Sequence, residues 1–139
     1  MPQPTLRRLP TVREYMDTTV HTLSPDTDIY KAVTFLLQKK VTGAPVIDAA
    51  GKIVGMLTEL DCLKLLTLGS DHQAPSGQVK DFMSTKVQTI PPNMDIYYAA
   101  GLFMKVTFRR FPVVEDGKLV GGITRFDILR AVKQGLASL

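Results

Sequence analysis

The sequence predicts a mixed α/β (α+β) protein made of two β-α-β-β-α repeats, and three observations carry that prediction. The 139 residues contain one pattern twice, at a spacing of 67 that becomes 66 after a single-residue gap. Within each copy, strand-like and helix-like hydrophobic periods follow one another in the same order. A polar stretch at residues 69–78 (GSDHQAPSGQ) separates the copies and reads as a linker. The pairing begins with Val12–Met16 (VREYM) against Val79–Met83 (VKDFM). It continues with Thr22, Pro25, Asp28, Ile29, Tyr30 and Ala32 against Thr89, Pro92, Asp95, Ile96, Tyr97 and Ala99, then Pro45-Val46 against Pro112-Val113. Past the gap, Gly51-Lys52, Val54-Gly55, Thr58, Asp61 and Leu63 fall on Gly117-Lys118, Val120-Gly121, Thr124, Asp127 and Leu129. The expected organisation is a tail at 1–11, a first repeat at 12–68, the linker at 69–78 and a second repeat at 79–139.

Each copy opens on a short extended piece, Val20–Leu23 or Val87–Ile90, which meets a turn containing Pro25 or Pro92. Asp26 and Asn93 occupy equivalent places in that turn and are good helix N-caps. Apolar residues then recur at helical spacing: Ile29, Ala32, Val33, Leu36 and Leu37 in the first copy, Ile96, Ala99, Ala100 and Phe103 in the second. Two short apolar runs follow, Ala44–Ile47 and Ile53–Leu57, joined by the turn DAAGK. Their counterparts are Phe111–Val114 and Leu119–Ile123 around EDGK, and both pairs read as hairpins. Pro45 and Pro112 cannot donate to a sheet ladder and mark a strand's start or edge. A second amphipathic helix closes each copy, Leu60–Leu68 and Phe126–Leu136. One repeat alone buries too little surface to be stable. Two packed about a pseudo-twofold axis would solve that and leave related clefts between them.

Composition narrows the function. No apolar run approaches the ~18 residues of a membrane-spanning helix, and the first residues (MPQPTLRRLPT) lack the apolar stretch of a secretory signal. The expectation is a cytoplasmic protein that makes no use of a membrane. Cys62 is the single cysteine, so no internal disulfide can form, and one thiol with two histidines is a poor zinc set. Cys62 matches Ile128 in the other repeat and reads as a packed residue, His21 matches Gln88 and reads as a surface strand position, and His72 lies in the linker. Lys39-Lys40 and Arg7-Arg8 read as solvated. No Gly-rich phosphate loop, metal-ligand spacing or histidine beside a nucleophile is present, which argues against an enzyme and against a catalytic cofactor. No nucleic-acid reader motif is present either. The net charge of +4 is one-sided: residues 1–78 carry eight Lys+Arg and eight Asp+Glu, residues 79–139 nine and five. An anionic partner at the second half, or simply a solvated basic surface, would account for it.

Two β-α-β-β-α repeats whose last strand runs into Gly-h-h-Thr-x-x-Asp resemble a pair of cystathionine-β-synthase (CBS) domains, over about residues 12–136. The motifs are Gly55-Met56-Leu57-Thr58-Glu59-Leu60-Asp61 and Gly121-Gly122-Ile123-Thr124-Arg125-Phe126-Asp127. The resemblance implies a regulatory module that binds AMP, ADP, ATP or S-adenosylmethionine in its cleft, and the one-sided arginines of the second half favour a phosphate-bearing ligand over S-adenosylmethionine. It also implies a homodimer, and an effector protein in trans that reads a change of tilt or of dimer packing. An alternative is a ligand-free module for dimerisation or protein interaction.

By that resemblance Asp61 and Asp127 hold a ribose, while Thr58 and Thr124 lie on the phosphate side, where a helix start and a hydroxyl suit an anion. Thr-x-x-Asp is also close to a capping box, which would satisfy the helix start without any ligand. Arg109 and Arg110 stand where the first copy has Thr42 and Gly43, and they resemble a phosphate-reaching basic pair, with Arg125 adding a third charge. The same arginines could instead face solvent or pair with Glu115 or Asp116. Walls for adenine would be Thr22-Leu23 with Ala44-Pro45, and Thr89-Ile90 with Phe111-Pro112. Gly122 in place of Met56 would admit a ligand close to the backbone or make room for Phe126.

Overall fold

A computed structural model describes residues 9–68, 75–107 and 109–137. Most of the expected tail, including Arg7-Arg8, most of the linker with His72, and Phe108 lie outside the described residues. Six helices and four strands follow in the order α1 (Val12–Tyr15), α2 (Ile29–Lys39), β1 (Gly43–Ile47), β2 (Ile53–Thr58), α3 (Glu59–Leu68), α4 (Val79–Phe82), α5 (Ile96–Lys105), β3 (Arg110–Glu115), β4 (Lys118–Thr124) and α6 (Arg125–Ala137) among the described residues. The mixed helix-and-strand class and the duplication match the expectation from sequence, but the order in each copy does not: a four-residue helix opens it, and the extended piece expected as its first strand is a single-residue bridge.

The chain forms two compact units, and these do not coincide with the sequence repeats. One joins the segment up to Thr18 to Thr89–Glu115 and Val120 onward; the other holds Thr19–Gln88 with Asp116–Leu119. They are called here the second-repeat unit and the first-repeat unit, after the repeat that supplies most of each. The cause is legible in the hydrogen bonds. In the second-repeat unit, α1 of the first copy donates from Val12 N–H to Met94 O (2.9 Å) and from Arg13 N–H to Pro92 O (2.9 Å). In the first-repeat unit, α4 of the second copy donates from Val79 N–H to Thr27 O (2.8 Å) and from Lys80 N–H to Pro25 O (3.0 Å). Each four-residue helix is far too short to stand alone, and it buries Val12, or Val79 and Phe82, in the core it joins.

Each unit has its own core. Leu23, Ile29, Ala32, Leu36, Ala44, Val46 and Leu57 fill the first with Val79 and Phe82. Ile90, Ile96, Ala99, Phe103, Phe111, Val113, Ile123, Ile128 and Ala131 fill the second with Val12. The helical stripe expected on α2 is buried at Ile29, Ala32 and Leu36, but Leu37 is 73% exposed because the stripe is narrower than the apolar pattern.

Both sheets have two strands, β1-β2 and β3-β4. In the first, Gly43 pairs with Thr58, Ala44 with Leu57 and Pro45 with Met56, antiparallel, with an irregularity at Val46/Ile47. The extended pieces contribute one residue each: Leu23 bridges β1 through Pro45 O and Ile47 N–H (3.0 and 2.9 Å), and Ile90 bridges β3 through Pro112 O and Val114 N–H (3.0 Å each). Pro45 and Pro112 are therefore inside their strands and buried, and β1 and β3, each in a two-stranded sheet, are edge strands as the prolines imply. They are tolerated because a residue's N and O face the same side of a strand, and on that side the neighbouring chain pairs at a single residue. The turns explain the one-residue gap. Gly51 (φ 83°) ends a turn held by Asp48 Oδ1, which accepts from Ala50 and Lys52 N–H (2.9 and 3.0 Å). Asp116 and Gly117 (φ 53° and 78°) make a tighter turn with two left-handed residues.

Asp26 and Asn93 are not the helix caps. Asp28 accepts from Tyr30 and Lys31 N–H (3.1 and 3.2 Å), and Asp95 accepts from Tyr98 N–H (2.8 Å). The turn closes first, by Thr27 N–H to Ser24 O and Met94 N–H to Pro91 O (3.2 Å each), which leaves Asp26 and Asn93 in its middle. Replacing Asp28 or Asp95 by alanine is expected to cost about 0.5–2 kcal/mol in urea denaturation, whereas Asp26→Ala or Asn93→Ala should stay within about 0.5 kcal/mol.

Candidate functional site

The two Thr-x-x-Asp motifs sit where a strand passes directly into a helix, one in each unit. In the first-repeat unit Thr58 ends β2 and Asp61 lies in the first turn of α3. Asp61 Oδ2 accepts from the Thr58 N–H (2.9 Å) and from its hydroxyl (3.1 Å), while Thr58 Oγ1 accepts from Asp61 N–H (3.4 Å). In the second-repeat unit Asp127 Oδ2 accepts from Thr124 N–H (2.7 Å) and hydroxyl (3.1 Å), and Thr124 Oγ1 accepts from Asp127 N–H (3.4 Å). The reciprocal cap foreseen as the plain alternative is thus formed in both motifs. It has a chemical consequence. The single hydroxyl proton of Thr58 or Thr124 points at its aspartate, so in this arrangement the hydroxyl offers a ligand an acceptor and not a donor. The first N–H of α3 is engaged as well, since Glu59 N–H donates to Thr42 O (2.9 Å).

The motif glycines do other work. A Cβ on Gly121 would stand 2.8 Å from Asp17 O and 2.8 Å from Met16 Sδ, and one on Gly55 would stand 2.9 Å from Ser84 O and collide with Met83. These glycines let the chain after each short helix cross the final strand. There Asp17 and Gly122 exchange two backbone bonds (2.8 and 2.9 Å), as do Ser84 and Met56 (2.9 and 3.0 Å). Gly122 does not make room for Phe126, which is 77% exposed.

The remaining expected wall residues divide by unit. Thr22, Ala44 and Pro45 lie with Thr58 and Asp61; Thr89, Arg109, Arg110, Phe111, Pro112 and Arg125 lie with Thr124 and Asp127. Thr22 and Thr89 are half-buried, next to the bridging Leu23 and Ile90. The side chains of Ala44 and Phe111 belong to the cores, and the Phe111 ring packs against Phe103 at a 60° tilt with ring centroids 4.7 Å apart. What these two positions can present to a ligand is backbone. Arg109 is exposed, Arg110 half-buried, and neither makes an ion pair with another described residue. Glu115, the acidic partner considered from sequence, is instead bound by Arg13.

Two details differ from expectation. His21 is half-buried and meets Phe35 edge-to-face at 6.1 Å. A cavity of about 560 Å³ in the first-repeat unit is lined by Tyr30, Lys31, Thr34, Phe35 and Gln38 together with Thr22 and Leu23, which were both expected as walls of a site. The polar face of α2 at spacings of four was its visible signal. Cys62 packs at the margin of its core, and burial together with the adjacent Asp61 carboxylate raises its thiol pKa. No group of three or more potential metal ligands, and no helix long and apolar enough to cross a membrane, occurs among the described residues.

The family model for the CBS domain matches residues 12–68 and 79–134. The chain belongs to the CBS domain family. The two matched segments are its CBS repeats, and the motif pairs described above are the strand-to-helix junctions of those repeats. Over 128 residues, 92% of the chain, it is 34% identical to A-adding tRNA nucleotidyltransferase of Aquifex aeolicus, of whose length it spans 15%. It is 35% identical over 118 residues to the CBS domain-containing protein YhcV of Bacillus subtilis, covering 84% of this chain and 81% of that one. Among solved structures it resembles CBSX2 in complex with AMP (CBSX2 being from Arabidopsis thaliana), with 35% identity, a TM-score of 0.77, and coverage of 89% of this chain and 96% of that one. The chain spans 15–59% of the length of the first three curated relatives it matches.

Proposed function

We propose that this CBS pair is a non-catalytic regulatory module that binds an adenine nucleotide, AMP, ADP or ATP. It would signal to an effector protein in trans, in the cytoplasm, by shifting between two conformations or two dimer packings. The observation that carries the reading is Arg109-Arg110 at the start of β3, without ion-pair partners among the described residues and in the same unit as Thr124 and Asp127. Guanidinium groups left without a carboxylate suit phosphate oxygens, which they can engage two at a time. The similarity to AMP-bound CBSX2 supports the adenosine part. A ligand can shift such a module only by its difference in affinity between the two states.

The test is the melting temperature of the purified chain with AMP, ADP, ATP, GTP and S-adenosylmethionine. A ligand at 100 times its Kd should stabilise by about 2.7 kcal/mol, an upward shift of roughly 5–10 °C for a chain of this size. A shift with adenine nucleotides and none with GTP supports the reading; no shift with any of them refutes it.

A second reading, a ligand-free dimerisation or protein-interaction module, draws on one feature. Helix α3 has no fully buried side chain, and Leu60, Leu63 and Leu66 are exposed, as are Phe126, Leu129 and Val132 on α6. Apolar rows of that kind are covered in an assembled state. A sedimentation series showing a ligand-independent dimer, with no thermal shift in the nucleotide panel, would favour it.

A further inference from the structure

The cavity against α2 lies apart from the Thr-x-x-Asp motif of its unit. Thr58 and Asp61 do not line it, nor do Ala44 and Pro45; of the expected walls it takes only Thr22 and Leu23. Its volume of about 560 Å³ is that of a small-molecule pocket. Lys31, Thr34, Phe35 and Gln38 recur at spacings of three and four, so one stripe of α2 makes one wall. The extended piece at residues 22–24 makes the other.

Leu23 and Phe35 supply apolar surface, and the Phe35 ring meets His21 edge-to-face at 6.1 Å. With them stand the hydroxyls of Thr22, Ser24 and Thr27, the Gln38 amide and the Lys31 ammonium. Two further hydroxyls are committed: Thr34 donates to Tyr30 O (3.1 Å) and Tyr30 to Pro75 O (2.7 Å). Lys31 makes no ion pair with another described residue, and among the described residues no carboxylate lines the cavity. The Asp28 carboxylate is taken by the N–H groups of Tyr30 and Lys31 (3.1 and 3.2 Å). One positive charge is thus left among neutral hydrogen-bonding groups, a set that suits an anion with hydroxyls of its own.

The second repeat answers the same packing problem differently. At the positions of Thr27, Lys31 and Thr34 it has Met94, Tyr98 and Gly101, and Met94 packs against its core. Filling a cavity generally stabilises a protein, and the first repeat instead keeps the space and lines it with polar groups.

We infer that this cavity is a second ligand site, for a small hydroxylated organic anion such as a sugar acid or a sugar phosphate, held by Lys31 with Thr22, Thr27 and Gln38. It goes beyond the nucleotide reading above, and each stands or falls without the other.

Titration of the nitrogen-labelled full chain with gluconate and with glycerol phosphate, followed by amide chemical shifts, tests it. Amides of residues 22–27 and 31–38 should shift together along one saturable curve. The neutral counterparts, glucose and glycerol, should bind at least about tenfold more weakly, the loss expected for a charge-assisted hydrogen bond. Saturation by one anion alone supports the site and identifies its acid group as carboxylate or phosphate. Lys31→Met should raise the Kd at least about tenfold. Lys39→Met, which changes an exposed lysine of α2 outside the lining, should stay within about twofold of the unaltered chain. Thr27→Met, which copies the second repeat, should abolish binding without lowering the melting temperature. No saturable shift with either anion overturns the inference, as does equal binding of the neutral counterparts. So does an equal effect of Lys39→Met and Lys31→Met, or binding retained in a folded Thr27→Met variant. Displacement of the anion by AMP overturns it too, because the cavity would then belong to the nucleotide site.

Discussion

Phe111→Ala is expected to destabilise the protein by about 3–5 kcal/mol, the cost of deleting a large aromatic side chain from a packed core. The ring is fully buried, packs against Phe103, and shares the second-repeat core with Val12, Ile123 and Ile128. Urea unfolding followed by far-UV circular dichroism measures it. Because the chain has two compact units, each with its own core, an early transition confined to part of the signal is the expected form of the result. Phe111 was also expected at the wall of the ligand site, and Phe111→Leu separates the two roles. Leucine retains most of the apolar volume and should cost less than about 1.5 kcal/mol. AMP affinity unchanged in that variant would mean that position 111 presents backbone to the ligand; a loss of affinity in a stably folded variant would mean that the ring matters directly.

Gly121→Ala should be nearly as damaging, for a different reason. The added Cβ would stand 2.8 Å from a backbone oxygen, Asp17 O, which is held in place because Asp17 and Gly122 exchange two hydrogen bonds. Relief requires moving the chain after α1 away from β4. Overpacking of about 1–3 kcal/mol then adds to partial loss of two bonds of about 0.5–1.5 kcal/mol each. A net cost of the order of 3 kcal/mol follows from these two contributions. Gly101→Ala is the control: nothing lies within 4 Å of its absent Cβ, inside helix α5. There alanine should stabilise by about 0.5–1 kcal/mol. Equal effects at Gly121 and Gly101 would contradict the close crossing described above.

Much of this was legible in the sequence because it depends on local periods and on duplication. The four strands and the longer helices were placed within one or two residues by apolar spacing and turn composition. The doubled Thr-x-x-Asp motif was found as a repeat before any fold was known. The short helices α1 and α4 were visible only as the matched strings VREYM and VKDFM. Four residues carry no readable period, and their helical state depends on the Thr11–Glu14 and Gln78–Asp81 backbone-to-carboxylate bonds (3.1 and 2.8 Å) and on burial. The cap assignments at Asp26 and Asn93 failed because preference for Asp and Asn is the same at positions two residues apart. Which of them caps depends on where the preceding turn closes.

The sequence by itself determined the repeat, the hairpin and the two longer helices of each copy, the family resemblance and the charge difference between the two motif sets, since each of these is a property of residue type and spacing. Tertiary structure alone decided which segment completes which core: α1 joins the second repeat and α4 the first. It also decided that Gly55 and Gly121 serve a chain crossing, and that Arg130 stands 3.0 Å from Asp127 while Lys64 stands 3.7 Å from Asp61. The physical reason is common to all three. They depend on distances of about 3 Å between groups as much as 115 residues apart, and no local pattern encodes such a distance.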